Sequence, residues 1–398
     1  LSKLGKLATH GHEAENCSRR RVIVRILFLF IGEAHQALHA LPIAAELQQL
    51  APQHEIEVAV AGSAHYWVTE LVRSVYPAFA PKVRSLAIPF LAWLQKALTG
   101  AEEQSRLASL LTHIPYFRSF DAIVVPERTT TIVRHFLVKH TRLIFTPHGA
   151  GDKAIMLDPR DRFFDFVLVA GEKSEQRLLE AGTITPGRYA VNGYVKLDFM
   201  RKAARNRSPL FNNDRPTVLY TPHFRPDQSS WPLMGTRIIE AFAKQDRFNL
   251  VVAPHIRLFH NAPRRAKAKI EALAIPGKIL IDLGSNRLLD MTYTSGADIY
   301  LGDVSSQVYE FLADPGPCVF LNPHRFEWHG DPNYLFWTLG EVATSVDEAM
   351  EAVSRASAEH NKYISLQREA LALSVGGDPE GAAQRGAEAI LNYMVGQS

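Results

Sequence analysis

The run Gly302-Asp303-Val304-Ser305-Ser306-Gln307-Val308-Tyr309-Glu310, followed by Pro317-Cys318-Val319-Phe320-Leu321, carries residue types suited to holding a nucleotide diphosphate. It reads as a buried strand from Ala297 to Leu301, a turn with two hydroxyls, a helix that starts at those hydroxyls, and a second apolar strand. A helix start offers unpaired backbone N–H groups and the positive end of a dipole, and the Ser305 and Ser306 hydroxyls add donors for a phosphate. Glu310 lies further along the same helix, where a carboxylate can accept hydrogen bonds from ribose hydroxyls. The plain alternative is that the serines are ordinary N-caps and Glu310 is a solvated helix residue.

Three further segments share one pattern. Thr217-Val218-Leu219-Tyr220-Thr221-Pro222-His223-Phe224-Arg225 is a strand leading into a loop with an arginine, and Asn249 to Val252 is a strand leading into Pro254-His255. Arg142 to Phe145 is a strand that runs into Thr146-Pro147-His148-Gly149-Ala150-Gly151-Asp152-Lys153. Each places a basic or imidazole group just past the carboxyl end of a strand, which is where open α/β sheets bind ligands.

In this order the four motifs resemble the CDP-glycerol:poly(glycerophosphate) glycerophosphotransferases of teichoic-acid and capsule assembly. The residues that carry the resemblance are His148 to Lys153, Pro222 to Arg225, Pro254-His255 and Asp303 to Ser306, with Gly193 to Asp198 similar to the element that leads from the first domain into the second. It covers about residues 140 to 345 and does not reach the first 140. Three positions depart from the family pattern: Pro254-His255 reverses its His-Pro order, Val304 replaces a tyrosine, and Asn322 stands where an acidic residue often ends the strand. The same scaffold also carries the UDP-N-acetylglucosamine 2-epimerases, which have two glycines in place of Ser305 and Ser306.

The resemblance implies an α/β protein of two Rossmann-like domains facing each other across a cleft, the GT-B-like arrangement. It implies a transferase that moves glycerol phosphate, or a related polyol phosphate or sugar, from a CDP- or UDP-linked donor to a lipid- or polymer-linked acceptor; a nucleotide-sugar 2-epimerase is the alternative. Such a transfer needs a clamp on the diphosphate, a base for the acceptor hydroxyl and support for the leaving group. Arg225, Asp303, Ser305, Ser306, Glu310 and Lys153 are the expected donor-side residues. His148 is the expected base, His255 the group beside the donor phosphates, and Glu33 and His35 candidates on the acceptor side; His223 reads as local structure. The chain has no Asp-x-Asp pair, so a metal-independent reaction without a cofactor is expected.

The elements that must position these groups follow from composition and periodicity. With 398 residues, 46% apolar and 21% charged, the chain suits two soluble domains. A net charge of +3 gives no reason to expect nucleic acid as a partner. Cys17 and Cys318 are far apart in sequence and suit a reducing cytoplasm rather than a disulfide. No apolar run is long enough to cross a bilayer, so the expected location is the cytoplasm or the inner face of the membrane.

From Arg21 onward strands alternate with helices, which predicts parallel sheets. The expected divisions are a disordered extension over 1–20, an acceptor domain over 21–200, a linker over 201–216, a donor domain over 217–380, and a final helix over 381–398 packing back on the first domain. Strands are expected at Arg21 to Ile31, Glu55 to Ala61, Ala122 to Val125, Arg142 to Phe145, Phe166 to Val169 and Arg188 to Val191. In the second half they are expected at Thr217 to Tyr220, Asn249 to Val252, Lys278 to Asp282, Ala297 to Leu301 and Cys318 to Leu321. Ser345 to Glu348 reads as a capping box. Residues 86–118 read as an insert whose helices cover the first sheet, with a lid or peripheral membrane contact as the functional alternative.

Overall fold

The computed structural model describes residues 23–62, 64–87, 106–137, 140–149, 158–203, 208–378 and 380–396. The expected tail at 1–20, most of the apolar insert and Lys153 lie outside them. Two sheets form. The first has seven strands in the order β3-β2-β1-β4-β5-β6-β7. These are β1 Arg25–Phe30, β2 Glu55–Val60, β3 Lys82–Ser85, β4 Ala122–Val125, β5 Arg142–Phe145, β6 Phe166–Val169 and β7 Tyr189–Val191. The second has six in the order β10-β9-β8-β11-β12-β13. They are β8 Thr217–Thr221, β9 Asn249–Val252, β10 Ile279–Ile281, β11 Ile299–Gly302, β12 Cys318–Leu321 and β13 Glu341–Ala343.

The strands pair in parallel throughout both sheets. A parallel sheet carries helices on both faces, so its central strands are apolar on both sides. In β1, Ile26, Phe28 and Phe30 join one core cluster while Leu27 and Leu29 join the other. The alternating pattern thus yields the two Rossmann-like domains expected of it. In each sheet the order reverses beside the first strand, between β1 and β4 and between β8 and β11. Loops leaving these strands diverge there and open a crevice.

Two strands are absent from the sequence expectation. Lys82-Val83-Arg84-Ser85 and Glu341-Val342-Ala343 are edge strands, paired on one side only, and the first is largely exposed. An edge strand needs no apolar run, so hydropathy does not mark it. One half of the capping box forms, with Ser345 Oγ accepting from Glu348 N at 3.2 Å, while Glu348 Oε2 reaches one residue further back and accepts from Thr344 N at 2.7 Å. In the described part of the insert, Leu110 and Phe117 are buried against the first sheet while Leu107 and Leu111 remain exposed. No helix among the described residues is long and apolar enough to cross a membrane.

The helix Val195–Ala203 extends past residue 200 and links the domains. One apolar cluster runs from the first sheet through Leu197 and Phe199 of that helix to Tyr300 and Phe320 of the second. The final helix, Ala382–Val395, returns to the first domain, where Tyr393 stacks on Phe166 with ring centroids 4.5 Å apart. Asp198, almost fully buried, caps its start by accepting from Gly381 N at 3.2 Å and Ala383 N at 3.1 Å, and it pairs with Lys202 Nζ at 3.3 Å. Gly193, at φ +96°, lies so close that a Cβ would press on Arg385 and Ala382.

Replacing Asp198 with alanine removes this cap and leaves buried N–H donors unpaired. The expected loss is about 2 to 3 kcal/mol of unfolding free energy in a denaturant titration. A change within about 0.5 kcal/mol would show that the final helix does not depend on this carboxylate.

Candidate functional site

The loops after β1, β4 and β5 meet at the first switch point. His148, two residues beyond Thr146, approaches the carbonyl of Pro126 at the end of β4, with Nδ1 2.7 Å from the oxygen. A carbonyl only accepts, so Nδ1 carries the proton and Nε2 of the neutral ring carries the lone pair. Gln36, in the turn after β1, places its amide nitrogen 3.2 Å from that Nε2. Around His148 lie His35, with ring centroids 6.1 Å apart, and His39, at 6.4 Å.

His148 has a face open to the cleft, yet protein from both domains crowds it, and this burial lowers its pKa; the Pro126 carbonyl opposes the shift more weakly. Burial likewise pushes His35 well below the usual imidazole range, followed by the charges of His148, Lys196, His255 and Arg257. His39 is shifted the same way by burial and then by Lys196, His148 and His35. Three imidazoles are thereby biased toward their neutral forms, and a neutral imidazole can take a proton.

The second domain supplies the facing wall. His255 follows β9, and its Nδ1 accepts from Arg257 N at 3.2 Å. Arg257 reaches across the cleft, its Nε donating to Glu33 Oε1 at 2.6 Å. Glu33 also stands 3.5 Å from His35 Nδ1. Thus Glu33 and His35 both line the cleft, and Glu33 is committed to a cross-domain pair. His223 is buried beside the Phe224 and His255 rings, its Nδ1 accepting from Arg225 N at 3.2 Å. The Arg225 guanidinium is exposed and pairs with Asp227 at 2.9 Å.

Two expected donor-side carboxylates have other work in the structure. Asp303 is fully buried, and its Oδ2 accepts from His223 N at 2.8 Å and Ser230 N at 2.7 Å. Burial raises its pKa to about 6. It thereby fastens the β8 loop to the end of β11 through Oδ2, while its Oδ1 is buried without a hydrogen-bond partner among the described residues. Glu310 is also buried, and its Oε1 receives Lys196 Nζ at 2.6 Å and Tyr194 OH at 3.4 Å. Its expected contact with ribose must therefore use the other oxygen or displace the lysine.

Ser305 is buried at the second switch point and its Oγ accepts from Gln307 N at 3.3 Å; Ser306 is the N-cap residue of a five-residue helix, Gln307–Phe311. Beside them Thr221, Ala253, Arg287, Tyr293, Gln307 and Glu310 line a narrow cavity. Gln307 Oε1 is buried there without a hydrogen-bond partner among the described residues. A roomier cavity of about 470 Å³ opens behind it and shares Glu310, Met291 and Thr294 with it.

Gln36, His39, Lys196 and Arg257 escaped the sequence reading. The only sequence signal for Arg257 is its place two residues after His255. Lys196 sits inside the Gly193 to Asp198 element already singled out, where it reads as an ordinary surface lysine.

Lys196→Met should cost about 3 to 5 kcal/mol by leaving Glu310 buried and unpaired, and Lys196→Met with Glu310→Gln should recover most of that loss. Additive losses in denaturant titrations would show that the two groups do not depend on each other. The histidines predict a pH dependence as well. Their folded pKa values lie below the ordinary 6.5, so the unfolded chain binds more protons beneath that pH. Their stabilising contribution is present above pH 6.5 and declines as pH falls below it; His39→Gln should flatten this slope in denaturant titrations at several pH values, and an unchanged slope would remove His39 from the account.

No protein-family model matches the chain, and no curated protein matches it either. Solved structures match its fold. A putative UDP-N-acetylglucosamine 2-epimerase from Listeria monocytogenes superposes with a TM-score of 0.63 at 13% identity, covering 93% of this chain and 96% of that one. The UDP-GlcNAc 2-epimerase from Neisseria meningitidis gives 0.58 at 17%, covering 93% and 100%. The wall teichoic acid polymerase TagF gives 0.62 at 13%, covering 94% and 89%. At these identities the likeness establishes the fold: two parallel α/β domains facing each other across a cleft, GT-B-like in arrangement.

Proposed function

We propose that this protein transfers glycerol phosphate, or a related polyol phosphate or sugar, from a CDP- or UDP-linked donor to the hydroxyl of a lipid- or polymer-linked acceptor. The observation that carries this reading is His148: a ring with Nδ1 on the Pro126 carbonyl, Nε2 as a lone pair in the cleft, and a pKa lowered by burial. It lies on the first-domain wall, where the charge of Arg257 from the second domain reaches it.

For a phosphoglycerol donor, the acceptor oxygen forms a bond to the phosphorus that bears glycerol. The bond from that phosphorus to the bridging oxygen breaks, CMP departs with the electron pair, and the hydroxyl proton passes to His148 Nε2. Ser305, Ser306, Arg225 and Lys153 of the His148 loop are the proposed donors to the diphosphate, with His255 beside it. Glu310 is the proposed ribose contact at the cavity of Thr221 and Gln307. An epimerase working by proton removal and return would use several uncommitted carboxylates. Here Glu33 is paired with Arg257, Glu310 with Lys196, and Asp303 with two backbone amides.

His148→Ala should lower turnover by about 10²- to 10⁴-fold with the donor dissociation constant nearly unchanged, because the partner of His148 is the attacking hydroxyl. Ser305→Ala with Ser306→Ala should instead weaken donor binding, at about 1.5 to 3 kcal/mol for each lost hydrogen bond to a charged group. Calorimetry with CDP-glycerol and a transfer assay in excess EDTA separate the two effects. Near-normal turnover by His148→Ala would end this reading.

A further inference from the structure

Gln36 is the one side chain in the described structure seen on the lone-pair nitrogen of His148, and nothing in the sequence marks it out. It is almost fully buried in the turn after β1. With Nδ1 of His148 donating to Pro126, Nε2 can only accept, so the amide must present its NH2 there, which fixes the orientation of Gln36. The other end of the amide pays for this arrangement. Oε1 is buried and has no hydrogen-bond partner among the described residues, a condition that ordinarily costs about 1 to 3 kcal/mol. It lies flat against Gly32, where any Cβ would overlap it.

A glutamine kept on the base, at the expense of its own carbonyl and with a glycine beneath it, is shaped for that contact. We propose that Gln36 is a positioning residue that holds the Nε2 lone pair of His148 until an acceptor hydroxyl takes its place, keeping water off the base meanwhile. The inference rests on the reading of His148 as the base. It gives the cleft a means of favouring transfer to a hydroxyl over hydrolysis of the donor: water must displace a tethered donor, whereas a bound acceptor arrives oriented and with its own contacts.

The charged and titratable groups that face His148 are Glu33 and His35 from the β1 loop, His39 from the same turn, Arg128 after β4, and Arg257 from the second domain. None of them changes in the variants below, so a response can be assigned to position 36. In Gln36→Glu a carboxylate replaces the amide and favours the imidazolium. In Gln36→Asn the shorter side chain releases Nε2 to water, which also favours protonation.

The test follows the ring of His148 by NMR in histidine-labelled protein, with its signal assigned by its absence from His148→Gln. In parallel, kcat/KM for transfer and the rate of donor hydrolysis are measured against pH. Gln36→Glu should raise the ring pKa by about one unit or more, and Gln36→Asn should raise it by less. The acid limb of kcat/KM should move with the ring, and Gln36→Asn should increase hydrolysis severalfold relative to transfer. A His148 ring that titrates identically in wild type and both folded variants overturns the proposal. A ring that responds while the acid limb stays fixed overturns instead the reading of His148 as the base.

Discussion

The Lys196 ammonium and the Glu310 carboxylate meet 2.6 Å apart in the interior, one from the helix that ends the first domain and the other from the short helix after β11. Burying two opposite charges costs several kcal/mol of hydration each, so the pair contributes little net stability. What it imposes is registry. Any slide of one domain over the other separates two desolvated charges. Around it, Tyr194 hydroxyl donates to the same carboxylate, Lys173 donates to Tyr309 at 3.1 Å, and Arg257 spans the cleft to Glu33. These contacts hold the carboxyl ends of the two sheets face to face.

That registry sets the electrostatics of the cleft. Lys196 and Arg257 bring positive charge close to His35 and His148, and burial works in the same direction. Imidazoles in such a field stay neutral near physiological pH, the state required of a base. The transfer proposed above would draw on this arrangement, with imidazoles held neutral on one wall beside the cations Lys196 and Arg257.

The strand framework was legible because central parallel strands are buried on both faces. Ala122–Val125, Arg142–Phe145, Phe166–Val169, Asn249–Val252 and Cys318–Leu321 show as short apolar runs with turn chemistry after them, and their observed limits coincide with those read from sequence. The groups at strand ends were legible for the same reason, since a strand that stops at Pro-His fixes where the histidine emerges. The edge strands β3 and β13 carry no such run. The cross-domain contacts were hidden for a different reason: Lys196 and Glu310 are 114 residues apart, and neither type at either position signals burial. Asp303 shows a part that the motif did not disclose. Its place in a phosphate-like motif drew attention to the ligand, while its burial among backbone amides gives it a role in the frame.

That role accounts for a carboxylate kept where burial raises its pKa to about 6. Asp303 stands at the end of β11, and the two amides it accepts, His223 and Ser230, bracket the loop that carries Arg225. Backbone N–H groups buried at a switch point need an acceptor, because the diverging strands no longer supply one. A single carboxylate oxygen meets two of them and ties the Arg225 loop to the Ser305 turn. The Arg225 side chain, exposed and paired with Asp227, thus projects from a backbone held at both ends of its loop. The position of the loop is thereby set by a buried carboxylate and its backbone partners rather than by the side chains that project from it.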